Sequence, residues 1–539
     1  MATIKALRLR GFKSFPKQVE IPFGDGYNIV IGPNGSGKSC SYNTIITLSD
    51  GQEIKIGDLV EEKLKTGWLH RELDDGVHCR SKQPVEVLSL NPWSMKEEGM
   101  YVSQFIKREG EPYLFEITTN TGKKVRTTGC HPVIVFKDGQ VTSSLVKNLK
   151  EGSLIASPRV IHTNGLENEK NFARLFGYLV GDGYLRTDSI QFGNNTKEII
   201  DDVKDLMKKL FNATPYESNG KNNYTKLIYR QKNVRKNVLD LIRNNEEKYT
   251  TEHKYIPNHF LNKDIETITH LLAGLFDTDG HINKKNPIIE FTTKNERLAN
   301  QIQQLLLRIG IIARKKKRMC SATNTVNKIK RPYYYLYIES QENLCRFYIN
   351  IPLRCKYKKE RLEKHIKNKI VSNMNIDVLP RETNLLIRKA VELLGINVKS
   401  FKKKIPRLAA YMENRCSPTR EGLKIVLLIL TDKLLQIKEA GLELHRDQFN
   451  LVQTMDQLNI SGASASKAIN LNKQIIRDCW ATGKFTPTSR NLNNFFNLSA
   501  NLEKIIHFAE ITKPSYHYFA IITNVTDEAH TIAPNGLRV

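Results

Sequence analysis

Short runs of alternating apolar and polar residues dominate the first part of the chain and predict β-strands. Residues 2–9 alternate in this way, and from residue 40 to about 158 similar runs (IKIGDLV, VEVLSL, YLFEITT) are separated by Gly and Asp turns. Period-two alternation with frequent turn residues is typical of an all-β domain. Residues 376–514 instead have a helical character.

The helical stretch carries a faint internal repeat. Tyr411 and the Ser-Pro-Thr turn at 417–419 recur 69 residues later as Trp480 and the Thr-Pro-Thr turn at 486–488. Each copy follows a basic segment and a short turn, an order reminiscent of helix-turn-helix units. Residues 376–514 are therefore expected to form either an accessory DNA-gripping region or a helical spacer without DNA contacts.

A glycine-rich loop follows the strand-like run at 27–31 and predicts a phosphate-binding site. It reads GPNGSGKS and fits G-x-x-x-x-G-K-[ST] at every fixed position. Glycines let backbone N–H groups surround phosphates, the Lys reaches the β/γ-phosphates, and the final hydroxyl ligates Mg²⁺. The expected contacts to ATP and Mg²⁺ come from Gly32, Asn34, Gly35, Gly37, Lys38 and Ser39.

Together with GFKSF at 11–15, this loop resembles the N-terminus of the structural maintenance of chromosomes (SMC) ATPases, whose P-loop belongs to an α/β domain. A P-loop binds nucleotide only if a helix follows it. Residues 40–48 read instead as a β-branched strand, and a turn comes next. The ATPase sequence thus stops at Ser39, so we expect this chain to lack ATPase activity and ATP with Mg²⁺ to bind only in the spliced host protein.

An interruption that starts with Cys inside a phosphate loop resembles an intein. Further along, Thr128-Gly129-Cys130-His131 matches the T-x-x-H element of the Hint splicing domain, and residues 149–153 are similar to the stretch that follows it. The resemblance implies a horseshoe-like all-β Hint domain, assembled from the N-terminal and C-terminal segments of the intein.

Splicing chemistry explains why these residue types occur together. The Cys40 thiol can attack the carbonyl of Ser39 and convert an amide into a thioester. An amide nitrogen leaves poorly unless it is protonated, which makes His131 the candidate acid. Thr128 is expected to hold the scissile peptide. Taken singly, His131 would more often be structural and Cys40 an ordinary thiol.

The C-terminal residues 527–539 resemble the closing β-ribbon of inteins, with His530 as a candidate catalytic residue. In that family the ribbon continues into a His-Asn pair and then Cys, Ser or Thr. The sequence stops before these residues, so we expect the chain as given not to complete splicing. Residues 520–526 also lack the acidic residue often found before the equivalent of His530.

Two central segments resemble the LAGLIDADG motif of DOD-type homing endonucleases. They read LFGYLVGDG at 175–183 and LAGLFDTDG at 272–280. On a helix, small residues four positions apart share one face. Two such helices can therefore touch backbone to backbone.

The last acidic residue of each motif is the candidate catalytic and metal-binding group. We expect Asp182 and Asp279 at the helix C-termini, with Gly183 and Gly280 as left-handed caps. Phosphodiester cleavage uses hard cations, and Mg²⁺ prefers oxygen ligands. One acid from each half would serve each strand of duplex DNA. The alternative is a pair of buried helices with capping acids.

Basic residues near the second motif predict a DNA-facing sheet. A strand at 333–339 follows Lys328, Lys330 and Arg331, and a further basic run occupies 314–318. Such residues more often contact phosphates than take part in catalysis.

Charge and composition agree with a polyanionic partner. The chain has 539 residues, and its 83 Lys and Arg exceed its 56 Asp and Glu, giving a formal net charge of +27. Nucleic acid is the usual partner of such an excess. No apolar run reaches the roughly 20 residues that span a bilayer, and no secretory segment begins the chain, so we expect no membrane partner and a cytoplasmic location. The eight Cys lack CxxC pairs, which excludes a zinc ribbon or a disulfide framework.

The sequence therefore predicts an intein with a LAGLIDADG endonuclease inside an SMC ATPase, a monomeric nuclease that cuts double-stranded DNA of the intein-less host gene with Mg²⁺. Two alternatives stay open: an ATP- or DNA-binding chromosome protein with an inert insert, and a Hint-like autoprocessing protein without nuclease activity.

The predicted multidomain organisation is an SMC fragment with the α/β P-loop at 1–39, the N-terminal Hint part at 40–165, an α+β pseudo-symmetric endonuclease at 166–375, a small helical region at 376–514 and the C-terminal Hint part at 515–539.

Overall fold

Two short antiparallel strands, β1 (Ala6–Leu9) and β2 (Val19–Pro22), form the described part of the first 39 residues. The computed structural model describes residues 6–9, 19–22, 40–73, 76–91, 96–109, 113–137, 140–165, 167–186, 188–221, 223–242, 254–321, 329–368, 383–393, 408–418, 420–442, 517–529 and 537–538, with a few single residues after 378.

A β-rich domain follows, and strands from the two ends of the chain build it. The strand β23 lies between β10 and β14 in a six-stranded sheet of order β11-β10-β23-β14-β12-β13, and β24 extends the sheet β24-β9-β6-β5. The elements are β3 (Ile45–Thr47), β4 (Glu53–Lys55), α1 (Ile56–Thr66), β5 (Trp68–Leu73), β6 (Gly76–Arg80), β7 (Glu86–Asn91), β8 (Lys96–Tyr101), β9 (Phe105–Glu109), β10 (Tyr113–Thr119), β11 (Lys124–Thr127), β12 (Pro132–Lys137), β13 (Gln140–Leu145), β14 (Leu154–Pro158), β23 (His517–Ala529) and β24 (Leu537–Arg538).

One segment departs from the all-β prediction. The run IKIGDLV was expected as a strand, but only its first residues belong to β4, and helix α1 begins at Ile56. Leu59, Val60 and Leu64 are spaced for one helical face, and they pack in a cluster with the buried Phe105. Burial of this helical stripe overrides the short alternating pattern.

The central domain consists of two α+β halves with the same strand order. Their sheets run β15-β16-β18-β17 and β19-β20-β22-β21, so the halves are related by pseudo-symmetry. The elements are α2 (Lys170–Asp182), β15 (Gly183–Leu185), β16 (Ile190–Asn194), α3 (Lys197–Phe211), β17 (Tyr216–Asn219), β18 (Thr225–Tyr229), α4 (Lys232–Ile242), α5 (Asn258–Leu261), α6 (Ile265–Thr278), β19 (Gly280–Ile282), β20 (Ile289–Thr293), α7 (Glu296–Arg308), β21 (Ala313–Cys320), β22 (Arg331–Ile338), α8 (Gln341–Asn350) and α9 (Lys356–Lys367).

Helices α2 and α6 touch along their backbones at the centre of this domain. A Cβ on Gly177 would lie 2.4 Å from the carbonyl oxygen of Leu271 and 3.0 Å from Cα of Gly274. A Cβ on Gly274 would meet the Arg174 carbonyl oxygen at 2.4 Å. Neither position has room for a side chain, which confirms the backbone contact predicted from the small residues.

The expected left-handed caps are wrong. Gly183 has φ −82° and ψ 148°, which is extended backbone, and Gly280 is not among the glycines with positive φ. Both residues instead begin strands. Glycine is required there because a Cβ would lie 2.3 Å from the Leu179 carbonyl oxygen at Gly183 and 2.4 Å from that of Phe276 at Gly280.

The predicted helical region is described in part. It contains α10 (Thr383–Leu393), α11 (Leu408–Met412) and α12 (Arg420–Leu442), and Tyr411 is only 1% exposed. The second copy of the repeat, from Trp480 through the turn at 486–488, lies outside the described residues. Among the described helices, none has both the length and the apolar character that crossing a membrane requires.

We expect Gly177→Ala to destabilise the central domain by roughly 1–3 kcal/mol, because its methyl group forces α2 away from α6. The matched control is Gly220→Ala. A Cβ at Gly220 has no neighbour nearer than 3.4 Å, so the change should stay within about 0.5 kcal/mol. Urea unfolding of the two variants measures both effects, and equal stabilities would contradict the close contact.

Candidate functional site

Three of the predicted splicing residues, Cys40, Thr128 and His131, lie on adjacent backbone segments of the β-domain. Cys40 forms an isolated antiparallel bridge with Thr127, and the N–H of Ser41 donates to the Arg126 carbonyl oxygen at 3.1 Å. This pairing places Cys40 opposite the residue that precedes Thr128. Cys40 and Thr128, which are 88 positions apart in the sequence, are thereby neighbours.

A tight turn links Thr128 to His131. The His131 N–H donates to the Thr128 carbonyl oxygen at 3.1 Å, and the His131 carbonyl oxygen accepts from Val146 N–H at 3.0 Å. Thr128 is 1% exposed. The backbone of the T-x-x-H element is therefore fixed at both ends, next to the strand position of Cys40.

The environment of Cys40 keeps its thiol protonated. Burial raises the pKa of Cys40 to about 11. A buried thiol is a weak nucleophile until a base or a conformational change generates the thiolate. The other predicted residues of this chemistry and of the phosphate loop, namely Gly32, Asn34, Gly35, Gly37, Lys38, Ser39 and His530, lie outside the described residues.

A second site forms where α2 and α6 end. Asp182 is the last residue of α2, and Asp279 follows the last residue of α6 and donates its N–H to the Leu275 carbonyl oxygen at 3.0 Å. Asn194 donates from Nδ2 to Oδ2 of Asp182 at 2.6 Å. The backbone contact at Gly177 thus brings one carboxylate from each half to the same end of the helix pair.

Burial affects the pKa of both carboxylates, and the charge of one acts on the other. Burial and, secondly, the charge of Asp182 raise the pKa of Asp279 to about 6. Burial also raises the pKa of Asp182, against the opposing effect of its hydrogen bond from Asn194. Two confined oxygen donors of like charge suit a hard divalent cation, whose charge would relieve their repulsion.

The donor set fits such a cation in part. Among the described residues, no group of three or more His, Cys, Asp or Glu side chains is arranged to hold a metal ion. Asp182 and Asp279 would therefore supply two ligands, and the remaining positions would be filled by water or by oxygens of a bound substrate.

Two lysines at this end of the helices, the half-buried Lys254 and the buried Lys358, were missed by sequence reasoning. Lys254 Nζ donates to the carbonyl oxygens of Val180 and Gly181, the latter at 2.8 Å. Lys358 Nζ donates to those of Phe276 at 2.8 Å and Asp277 at 2.6 Å. Each lysine thus satisfies terminal carbonyls of one motif helix, where a positive charge is favourable.

The electrostatics of these lysines link them to the carboxylate pair. Burial lowers the pKa of both, and the charges of Asp182 and Asp279 oppose that shift. The sequence contains one weak signal for them: a Lys follows each aspartate at a similar distance, 72 and 79 residues further on. The two lysines can be recognised as equivalent only after the two halves of the domain are compared in space.

The basic run predicted at 314–318 lies on β21, an edge strand paired with β22. The Arg318 guanidinium lies 5.2 Å from the ring centre of Tyr335 and 5.7 Å from that of Tyr337, and the two rings stack at 6.1 Å. Alternating cations and aromatic rings on a sheet are well suited to a nucleic-acid backbone and bases. The strand expected at 333–339 is confirmed as far as Ile338 by β22, which begins two residues earlier, while Lys328 lies outside the described residues.

Comparison with known proteins gives one family match. The model of a LAGLIDADG-like domain matches residues 169–239 and 266–352, which are the two halves that contain Asp182 and Asp279.

Curated relatives match over longer stretches. The chain is 24% identical over 495 residues to a replication factor C small subunit of Methanocaldococcus jannaschii, covering 91% of this chain and 25% of that protein. It is 34% identical over 281 residues to the ATP-dependent DNA helicase Hel308 of the same organism, covering 49% and 22%. The replicative DNA helicase DnaB of Synechocystis is 26% identical over 385 residues, covering 68% and 40%. The chain thus spans between about a fifth and two fifths of the length of these relatives.

Solved structures are similar to parts of the chain. The PabCDC21-1 intein is 29% identical with a TM-score of 0.21, covering 22% of this chain and 73% of its own. Variants of the homing endonuclease I-DmoI are 15% identical with a TM-score of 0.26, covering 36% and 98%. No SMC protein is among the relatives named here. The chain is thus similar to inteins and to homing endonucleases, and its central part carries a LAGLIDADG-like domain.

Proposed function

We propose that this chain is an intein that combines self-splicing chemistry with a site-specific DNA endonuclease. The observation that carries the proposal is the pairing of Asp182 with Asp279 at the ends of two abutting helices of the central domain. The sequence of that domain interrupts a β-domain in which Cys40 adjoins a T-x-x-H turn. The LAGLIDADG-like match over both halves supports the nuclease component.

The splicing step begins at the bond between Ser39 and Cys40. Sγ of Cys40 attacks the Ser39 carbonyl carbon, the C–N bond breaks, and a thioester replaces the amide. His131 delivers a proton to the leaving nitrogen, which becomes the free amine of Cys40, while Thr128 orients the peptide. The raised pKa of Cys40 means that the thiol loses its proton as it attacks, and this proton replaces the one that His131 delivers to the nitrogen.

The nuclease step hydrolyses one phosphodiester on each DNA strand. Asp182 and Asp279 would hold a divalent cation, Mg²⁺ in our proposal, which when bound polarises the phosphate and activates water. Lys254 and Lys358 hold the helix ends in place and set positive charge beside the carboxylates. The Tyr and Arg side chains of β21 and β22 face the DNA backbone. Both halves belong to one chain, so a monomer suffices.

The host protein is part of the proposal as well. The segment GFKSF at 11–15 and the loop GPNGSGKS at 32–39 support an SMC-type chromosome segregation ATPase as the interrupted protein. The DNA substrate would then be the uninterrupted phosphate-loop sequence of the same gene, and ATP with Mg²⁺ would bind only after splicing restores the helix that follows the loop.

The purified chain should make one specific double-strand cut in DNA that carries the uninterrupted gene, given Mg²⁺. Asp182→Asn or Asp279→Asn should lower cutting by at least roughly 100-fold, because one carboxylate cannot replace the pair. Asp201→Asn, on the exposed face of α3, is the matched control and should cut normally. Gel analysis of linear products measures all four proteins, and an intact site with the unaltered chain would refute the nuclease proposal.

Metal-free stability should reveal the cost of burying the Asp279 charge beside that of Asp182. The pKa of Asp279 is about 6 in the folded chain against an ordinary value of 3.8, so the folded state binds this proton more tightly than the unfolded state. Stability should therefore fall as pH rises from about 4 to about 6 and then level off. Asp279→Asn removes this loss and should be more stable by about 2 kcal/mol at pH 7, with no gain below pH 4.

Denaturant unfolding at pH 4 and pH 7 measures that difference. Mg²⁺ or Ca²⁺ should stabilise the unaltered chain at pH 7 and have little effect on Asp279→Asn. A variant that is less stable than the parent at pH 7 without metal would contradict the assigned pKa.

Thiol treatment should release residues 1–39 through the thioester at Cys40. Cys40→Ala should abolish this release, whereas Cys345→Ala on α8 should not affect it, because only a thiol on the residue that follows the scissile bond can take part in the acyl shift. His131→Ala should slow release by roughly 100-fold or more. Mass spectrometry identifies the fragment; identical behaviour of the unaltered chain and Cys40→Ala would end the splicing proposal.

A further inference from the structure

The central domain, here called the nuclease domain, contacts two hairpins of the β-rich domain, here called the splicing domain. We term the contacting part of the nuclease domain the docking surface. The first hairpin, β3–β4, begins five residues after Cys40. The second, β10–β11, ends at Thr127, which bridges to Cys40. The docking surface consists of Asn258, Gln303, Gln304, Arg308 and Lys315.

The first hairpin is held at both strands. Asn258 accepts from the Glu53 N–H at 3.2 Å through Oδ1 and donates to the Glu53 carbonyl oxygen at 3.0 Å through Nδ2. Gln304 donates from Nε2 to Oγ1 of Thr47 at 3.2 Å. The amide of Asn258 thus satisfies the edge of β4 as a neighbouring strand would.

The turn of the first hairpin is anchored by a buried arginine. Arg308 donates through Nη2 to the Gly51 carbonyl oxygen at 2.5 Å and through Nη1 to that of Leu261 in the nuclease domain. Gly51 has φ +96°, and a Cβ there would lie 2.5 Å from the Leu261 carbonyl oxygen. The turn therefore packs directly against the nuclease domain, and there is no space for a side chain at Gly51.

The turn of the second hairpin contacts the same surface. The carbonyl oxygen of Thr121 accepts from Gln303 Nε2 at 3.0 Å and from the Lys315 N–H at 2.9 Å. Gly122 has φ +77°, and a Cβ there would lie 2.2 Å from the Lys315 carbonyl oxygen. Both hairpins thus meet the nuclease domain at turns whose glycines allow backbone contact.

Buried charges connect the two anchoring points. Glu53, Glu97 and Lys123 of the splicing domain interact electrostatically with one another or with Arg308 of the nuclease domain. Burial raises the pKa of Glu97 to about 7 and lowers that of Lys123 to about 8. Removing one member of such a cluster leaves the others buried without compensation.

These contacts bear directly on the splicing nucleophile. The Ser41 carbonyl oxygen accepts from Thr44 N–H at 2.9 Å, and the Thr44 carbonyl oxygen accepts from Ile56 N–H at 2.8 Å, so the segment after Cys40 follows the first hairpin. The T-x-x-H turn continues directly from the second hairpin. Cys40 and Thr128 are thus attached to the two hairpins that contact the nuclease domain, in addition to the direct bridge between Cys40 and Thr127.

We propose that the nuclease domain positions the splicing nucleophile, with Asn258 and Arg308 as positioning residues for the acyl shift at Cys40. The inference rests on the proposed splicing function and adds a second role for the inserted domain. Loosening the docking surface should misalign Cys40 with the T-x-x-H turn, and small misalignments at a reacting centre cost large factors in rate.

The test measures thiol-dependent release of residues 1–39 from the full chain at increasing thiol concentration. Asn258→Ala should lower the rate at saturating thiol roughly tenfold, without changing the thiol concentration at half rate, because the acyl shift and not thiol access is affected. Asn258 is exposed, so this variant should fold. Asn350→Ala, an exposed Asn of α8 that donates to the Arg346 carbonyl oxygen at 2.8 Å, is the matched control and should match the parent.

Arg308 provides an independent second measurement. Arg308→Met should lower the saturating rate more than Asn258→Ala, and Arg308→Lys, which retains a charge and a donor, should lie between Met and the parent. Hydrogen exchange in β3 and β4 should quicken in both Asn258→Ala and Arg308→Met, while DNA cutting by Asn258→Ala should stay at the parental level.

The outcomes separate the two proposals. If the parent releases no more of residues 1–39 than Cys40→Ala, the splicing function itself is wrong. If the parent releases them and Asn258→Ala and Arg308→Met keep its saturating rate, splicing stands and the positioning role is refuted. A lower rate with Asn350→Ala as well would also refute it, because the effect would then not be specific to the docking surface.

Discussion

The direct backbone contact between α2 and α6 is the constraint on which the central domain depends. Gly177 and Gly274 have no space for a Cβ, so the helices approach as closely as main chains allow. Because the helices touch, Asp182 and Asp279 end at one place despite being 97 residues apart in the sequence. Burial at this end of the helices and, secondly, the nearby charge of Asp182 raise the pKa of Asp279.

The capping lysines illustrate how such a site is kept stable. Terminal carbonyls of α2 and α6 are buried and need donors, and Lys254 and Lys358 supply them from outside the helices. The same ammonium groups offset the charge of the carboxylates. The two lysines thus satisfy backbone carbonyls and also moderate the electrostatics of the carboxylate pair.

The sequence predicted the features that depend on local spacing. The duplicated motif predicted the helix contact and the ends at which Asp182 and Asp279 lie, and the alternating pattern predicted strands such as β7 and β10. It missed α1, where burial of one helical face outweighs a short β-like run, and it assigned caps to glycines that are needed for backbone clearance. The docking surface could not be predicted, because Arg308 meets Gly51 across 257 residues and no periodic pattern encodes such a contact.

The position of β23 has a consequence for the order in which the protein is made. This strand fills the gap between β10 and β14, yet about 360 residues separate it from β14. During synthesis this six-stranded sheet stays incomplete until β23 leaves the ribosome, whereas the two halves of the central domain emerge earlier and can fold first. The folded central domain shortens the effective loop that β23 must close. Its early folding therefore favours the later pairing of β23 with β10 and β14.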